Sequence, residues 1–158
     1  MALPLFWASR TASRLRISVL RRRSFGSVNL RDLKYAGTHE WVKVDGNAAT
    51  IGITHHAQDH VGDVIFVELP ELGRVLKQGC SFASVESMKA TSDVNSPVSG
   101  KVIKVHEELT SSPGLVNWSP YERGWMVKVE MSDRGELNNL MDSDQYTRFC
   151  EEEADSKH

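Results

Sequence analysis

The chain has few cysteines, no long apolar run and no common catalytic motif. Its 158 residues include only two cysteines, Cys80 and Cys150, which are too few for a disulfide framework, so we expect free thiols. No uninterrupted apolar run approaches membrane-spanning length, and we therefore expect no transmembrane helix. Neither a nucleotide-binding glycine loop nor a Ser-His-Asp arrangement stands out, and there is no cysteine pair for redox catalysis, so these three catalytic signatures are lacking.

Acidic side chains are missing from the first 31 residues, and the first acid is Asp32. Residues 1–25 instead contain six arginines, and the rest of the chain holds 13 basic against 21 acidic residues, a net charge of −8. An arginine-rich, acid-free and amphipathic beginning is typical of a mitochondrial presequence, which we expect to be processed near residues 23–27. The alternatives are a basic nucleic-acid arm, a disordered end and a chloroplast transit peptide. The acidic remainder argues against binding to nucleic acid.

Residues 26–158 are predicted to form one mainly-β domain with a helical end. Short β-branched runs are separated by glycine and proline at frequent intervals, a pattern typical of a β-sandwich or flattened barrel. The pattern also predicts a short helix after the first hairpin, with Thr54 as its N-cap, and helices that begin near Ser132 and Ser143. Five aromatic residues are predicted to lie in the core or at its edge: Trp41, Phe66, Trp125, Tyr146 and Phe149.

Lys89 lies at the centre of an internal symmetry. Gly79 stands ten residues before it and Gly100 eleven after, and the segments 81–87 and 91–95 between them both read as strands. These segments are predicted to be the two arms of a hairpin with residues 88–90 at its tip. A lysine at such a tip presents its amine to solvent, where a modifying enzyme can reach it.

The hairpin residues resemble a known attachment segment. Glu86-Ser87-Met88-Lys89-Ala90, within the segment 85–100, resembles the lipoyl-attachment segment of glycine cleavage system H-proteins. The family's flanking motifs occur in the same order: Thr38-His39-Glu40-Trp41, Gly52-Ile53-Thr54, Ala57-Gln58-Asp59-His60, Pro113-Gly114-Leu115-Val116-Asn117 and Gly124-Trp125. The resemblance covers the chain from about residue 30 to its end. The run Phe149-Cys150-Glu151-Glu152-Glu153 is similar to plant members of the family.

The resemblance implies a non-catalytic carrier of the mitochondrial matrix. Its fold would be the lipoyl/biotinyl-type flattened β-barrel sandwich, or hybrid motif, and lipoate would be joined by an amide bond to Lys89. The carrier would take an aminomethyl group from the glycine-decarboxylating P-protein to the T-protein, and its dithiol would be reoxidised by the L-protein. Lipoylating enzymes would be further partners. We expect a monomer that binds neither a membrane nor nucleic acid.

The resemblance also implies further site residues. Thr38, Glu40 and Asp93 are candidates to hold the cationic amine of the cargo, because carboxylates make strong charge-assisted hydrogen bonds with ammonium groups. His60 is a candidate to gate the same cleft. Glu86 is a candidate for recognition by the lipoylating enzyme. The alternative interpretation of these residues is solvated surface charge and, for Thr38, a turn residue.

Three other functions are weighed against the carrier. A biotinyl carrier shares the hairpin, and Met88-Lys89 is half of the usual biotin motif, but Ala90 and the flanking motifs depart from it. Lipoyl domains of 2-oxo-acid dehydrogenases carry aspartate before the lysine and continue into a large catalytic domain. A metal enzyme using His55, His56 and His60 is the third, although such sets are more often surface histidines, and we expect no metal.

Overall fold

The computed structural model describes residues 28–156. The predicted presequence, residues 1–25, and its processing region near 23–27 lie outside the described residues. Within them, the chain forms nine strands, four α-helices and two 3₁₀ turns. No helix in this part of the chain is long and apolar enough to cross a membrane.

A six-stranded antiparallel sheet forms one layer. Its spatial order is β1, β2, β3, β9, β8, β5. The strands are β1 (Lys34–Tyr35), β2 (Glu40–Asp45), β3 (Ala48–Ile53), β5 (Val75–Leu76), β8 (Gly100–Val105) and β9 (Val127–Met131). The β2–β3 hairpin turns at Gly46, whose φ of 64° lies in the region that glycine adopts without a steric penalty.

A three-stranded antiparallel sheet forms the second layer, in the order β4, β6, β7. Its strands are β4 (Val64–Glu68), β6 (Ser81–Ser87) and β7 (Thr91–Asn95). The bounds of β6 and β7 agree with the predicted hairpin arms. Alternate residues of β6 and β7, including Val85 and Val94, face the core that lies between the two sheets.

Four α-helices complete the described part of the chain. They are α1 (His55–Val61), α2 (Glu108–Ser111), α3 (Leu115–Trp118) and α4 (Ser143–Ser156). The Thr54 hydroxyl accepts from the Ala57 N–H at 3.2 Å, so the predicted N-cap of α1 is confirmed. Helix α4 packs through Tyr146, whose ring stacks on Tyr35 at 4.6 Å. A small second core forms there around Leu33, Tyr35, Trp41 and Tyr146.

The predicted fold class is confirmed, and two finer expectations from the sequence are corrected. The mainly-β sandwich is confirmed, but its two sheets do not close into a barrel. Phe66 is 51% exposed rather than buried, because a bulge between Val64 and Phe66 shifts its register against β6. The segment after Ser132 forms a 3₁₀ helix, Arg134–Asn139, instead of an α-helix, and the Asp133 side chain caps it by accepting from the Gly135 N–H.

Candidate functional site

The hairpin tip holds Lys89 in an exposed, well-defined turn. Ser87 and Ala90 close the turn through a 2.8 Å backbone hydrogen bond. The buried Ser87 hydroxyl accepts from the N–H groups of Lys89 and Ala90, at 3.2 and 3.1 Å. Met88 and Lys89 are both exposed, Met88 to 88%. The backbone around Lys89 is therefore fixed while its side chain stays accessible.

The Lys89 side chain lies over the end of helix α1. A Cβ atom added at Gly62 would lie 3.1 Å from Lys89 Cε and 3.8 Å from Nζ. Gly62 has a φ of 92°, a conformation that other residues rarely adopt. Asn117 fixes this segment: its Nδ2 donates to the Gly62 carbonyl at 2.8 Å, and its Oδ1 accepts from the Val64 N–H at 2.8 Å.

Glu40 is a carboxylate buried at the start of β2, where only 2% of its surface is exposed. One oxygen accepts from the Thr38 hydroxyl, and the other accepts from the Asn95 N–H at 2.9 Å. Burial raises the pKa of Glu40 to about 7, and the two hydrogen bonds act in the opposite direction. The structure thus brings Thr38 and Glu40 together beside the end of β7. A buried carboxylate of this kind is suited to pairing with a cation.

Three histidine rings stack in a column that begins at His39 and ends at His60, near the end of helix α1. His39, the neighbour of Glu40, stacks on His56 at 4.2 Å, and His56 stacks on His60 at 4.3 Å. His60 is exposed, two residues before the glycine that Lys89 covers. The gating role predicted for His60 stays a prediction.

Asp93 and Glu86 lie on the outer side of the small sheet. Asp93 is exposed and lines a pocket of about 390 Å³ together with Glu68 and Arg74. Asp93 lies two residues before Asn95, the residue whose N–H donates to the Glu40 carboxylate. Glu86 is half-buried and pairs with Phe66 on one side and with Thr91 on the other. Their assigned roles in amine binding and enzyme recognition stay predictions.

Sequence reasoning missed four residues that shape the site: Ser87, Asn95, Gly62 and Asn117. Ser87 and Asn117 stood within recognised motifs, and Gly62 lies two residues after one, but no role followed from their type alone. The contribution of Asn95 comes from its backbone N–H, which no sequence pattern marks. The Asn117 side chain bonds to Gly62, which lies 55 residues earlier in the sequence, and a contact of this separation depends on the fold.

Comparison with known proteins gives a consistent picture. A family model described as "Glycine cleavage H-protein" matches residues 33–153. The chain is 69% identical over 158 residues to "Glycine cleavage system H protein 2, mitochondrial" of Arabidopsis thaliana, and the alignment covers 100% of both chains. It is 54% identical over 162 residues to the mitochondrial H protein of Pisum sativum, with 96% of this chain and 97% of that protein covered.

A solved structure supports the same relationship. The crystal structure of a glycine cleavage system H protein from Mycobacterium marinum superimposes with a TM-score of 0.67 at 33% sequence identity. The superposition covers 73% of this chain and 94% of that one. The overall fold is therefore shared with a protein that is only 33% identical in sequence.

Proposed function

Because the chain belongs to the glycine cleavage H-protein family, we propose that its cargo travels on a lipoyl group joined by an amide bond to Lys89. The protein is the non-catalytic carrier component of the mitochondrial glycine cleavage system. The observation that supports Lys89 is its position at an exposed tip whose backbone is held by Ser87. The biotinyl alternative is not favoured, since the family match extends across both flanking regions.

The residues around Lys89 fit the attached group. The amine is exposed at the tip, and its aliphatic stem rests on a glycine that leaves room for it. An amide bond would remove the lysine charge, so the arm could lie against protein without burying an ammonium. When bound, the lipoyl group supplies disulfide–dithiol exchange and carriage of the aminomethyl cargo.

Glu40 lies within reach of an arm anchored at Lys89. Strand β7 leads from the hairpin tip to Glu40: it begins at Thr91, beside the tip, and ends at Asn95, which contacts Glu40. These two residues are four positions apart, which corresponds to about 14 Å at roughly 3.4 Å per residue. From the lysine Cα to the nearer lipoyl sulfur the arm has about twelve bonds, so fully extended it spans about 15 Å, and the aminomethyl group on the sulfur adds roughly 2 Å. We assign Glu40, with Thr38 beside it, to hold the cargo amine. Asp93 lines a separate pocket on the outer side of the small sheet, so its role in amine binding, like the gating role of His60, stays a candidate.

The remaining assignments follow from the carrier role. The P-protein, the T-protein, the L-protein and the lipoylating enzymes are the proposed partners, and Glu86 is the proposed recognition residue for lipoylation. Residues 1–25 are proposed to be the presequence that is removed on import, which leaves residues 26–158 as a monomeric carrier domain.

Lipoylation of purified protein by a lipoylating enzyme tests the attachment site. The wild-type chain and a Lys77→Arg control, which removes another exposed lysine, should both gain one lipoyl group by intact mass. Lys89→Arg should gain none, because its guanidinium cannot form the amide. A lipoyl group on the Lys89→Arg chain would show that the arm is attached elsewhere.

A further inference from the structure

His39, His56 and Cys150 come together from three separate elements. His39 precedes β2, His56 is in the first turn of α1, and Cys150 is in the middle of α4. Each offers one ligand atom, and the three atoms all lie within 4.8 Å of one another. All three residues are half-buried. Imidazole nitrogen and thiolate sulfur are the ligands that zinc prefers in proteins.

The spacing of the two imidazoles suits a shared ion. Two imidazoles bound tetrahedrally to one zinc ion have ring centroids roughly 5 Å apart, given Zn–N bonds of about 2.0–2.1 Å. The rings of His39 and His56 have centroids 4.2 Å apart and planes inclined by 24°. The lone pair of each ring nitrogen lies in its ring plane, so at least one of the two stacked rings must rotate out of the stack before a nitrogen of each points at one ion.

His39 is already oriented by a carboxylate. Its Nε2 lies 3.0 Å from Glu153 Oε1, and because a carboxylate only accepts, Nε2 donates this hydrogen bond. Its other nitrogen, Nδ1, lies 2.7 Å from the Tyr146 hydroxyl. A carboxylate that holds the distal N–H of a ligating histidine is the usual support of a zinc ligand. Ligation through Nδ1 would keep that support and would draw Nδ1 away from the Tyr146 hydroxyl.

The backbone at His39 is built to keep its ring in place. His39 has a φ of 75°, which is uncommon for a residue with a side chain. Its carbonyl accepts from the N–H of Thr54, the N-cap of α1, at 3.1 Å, so the turn is locked to the helix that carries His56. Strained backbone of this kind persists where the surrounding structure fixes it, and it occurs most often at functional sites.

We propose that His39, His56 and Cys150 form a binding site for a Zn²⁺ ion, with Glu153 as the carboxylate that orients His39. This set differs from the three helix histidines considered from the sequence. A pocket of about 460 Å³ that is lined by His56, Tyr146 and Cys150 gives the ion a path from solvent and room for a water as the fourth ligand. The bound ion would fasten helix α4 to α1 and to the turn that precedes Glu40.

Cobalt substitution tests the site on the full carrier chain, with its lipoyl arm kept as the disulfide so that the arm offers no thiolate. Co²⁺ should bind at one equivalent and produce a thiolate-to-cobalt charge-transfer band, and Zn²⁺ should displace it. Cys150→Ser should abolish the band, and Cys80→Ser, which removes the exposed cysteine, should retain it.

Zn²⁺ affinity, measured by competition with a chelator, completes the test. His56→Asn should weaken binding at least tenfold, and the neighbouring exposed His55→Asn should change it less than twofold. Zn²⁺ should also raise the Tm of the wild-type chain and leave that of Cys150→Ser unchanged. Equal affinity in wild type and Cys150→Ser, or a cobalt complex without the thiolate band, would overturn the proposal.

Discussion

Replacing Glu40 by glutamine removes the carboxylate, and the negative charge of its ionised form, from the proposed amine site while keeping the side chain's shape. The carboxylate now accepts from the Thr38 hydroxyl and from the Asn95 N–H. An amide has one acceptor oxygen, so the variant keeps one of these bonds and leaves a buried donor unpaired, at a cost of about 1–3 kcal/mol in stability. Attachment of the arm at Lys89, on the exposed tip, should be unaffected.

The larger effect of Glu40→Gln falls on the cargo. A hydrogen bond to a charged partner contributes about 1.5–3 kcal/mol. Since about 1.4 kcal/mol corresponds to a factor of ten, loss of that bond should shorten the lifetime of the loaded carrier roughly 10- to 150-fold. The lifetime can be followed as the release of ammonia or formaldehyde from isolated, loaded protein.

Two controls make the Glu40 experiment decisive. Glu71→Gln removes an exposed carboxylate on another loop and should leave the lifetime at its wild-type value. Thr38→Val removes the hydroxyl that contacts Glu40 and should shorten the lifetime less than Glu40→Gln does. A Glu40→Gln carrier that is fully lipoylated, folded and as long-lived as wild type would refute the assignment of Glu40 to the amine site.

Three further predictions follow from the packing around the site. Gly62→Ala adds a Cβ at a backbone φ of 92° and close to Lys89 Cε, so it should lower the free energy of unfolding by about 1–3 kcal/mol. It should also slow lipoylation, which can be followed by intact mass over time. Gly52→Ala places a Cβ 2.7 Å from Trp41 Cζ2 and should destabilise the chain by about 1–3 kcal/mol in urea unfolding, while Gly114→Ala, with open space, should be close to neutral. Tyr146→Phe removes the hydroxyl that lies 2.7 Å from both His39 Nδ1 and Thr54 Oγ1, and it should cost about 1–3 kcal/mol in the same assay.

Local sequence patterns predicted the parts of the fold that depend on interactions between residues close together in the chain. Both arms of the Lys89 hairpin were predictable, because alternation and flanking glycines act over a few residues. The Thr54 cap was predictable for the same reason. The exposure of Phe66 was not, since it depends on a bulge that arises only when β4 pairs with β6.

The candidate site was predicted less completely than the fold. A resemblance between motifs indicated Lys89, Glu40 and Thr38, but the burial of Glu40 and its bond to Asn95 depend on how the sheets pack. The meeting of His39 and Cys150 depends on where the last helix docks, more than 100 residues along the chain. Contacts of such sequence separation leave no local pattern.

The central claim is that Lys89 bears the lipoyl arm of a working carrier. The most direct test is the intact mass and modified-peptide map of this protein isolated from mitochondria. We predict one lipoyl group, on the peptide that contains Lys89, in the protein that supports glycine cleavage. Biotin on that lysine, or an unmodified Lys89 in protein that still carries the aminomethyl group, would contradict the account.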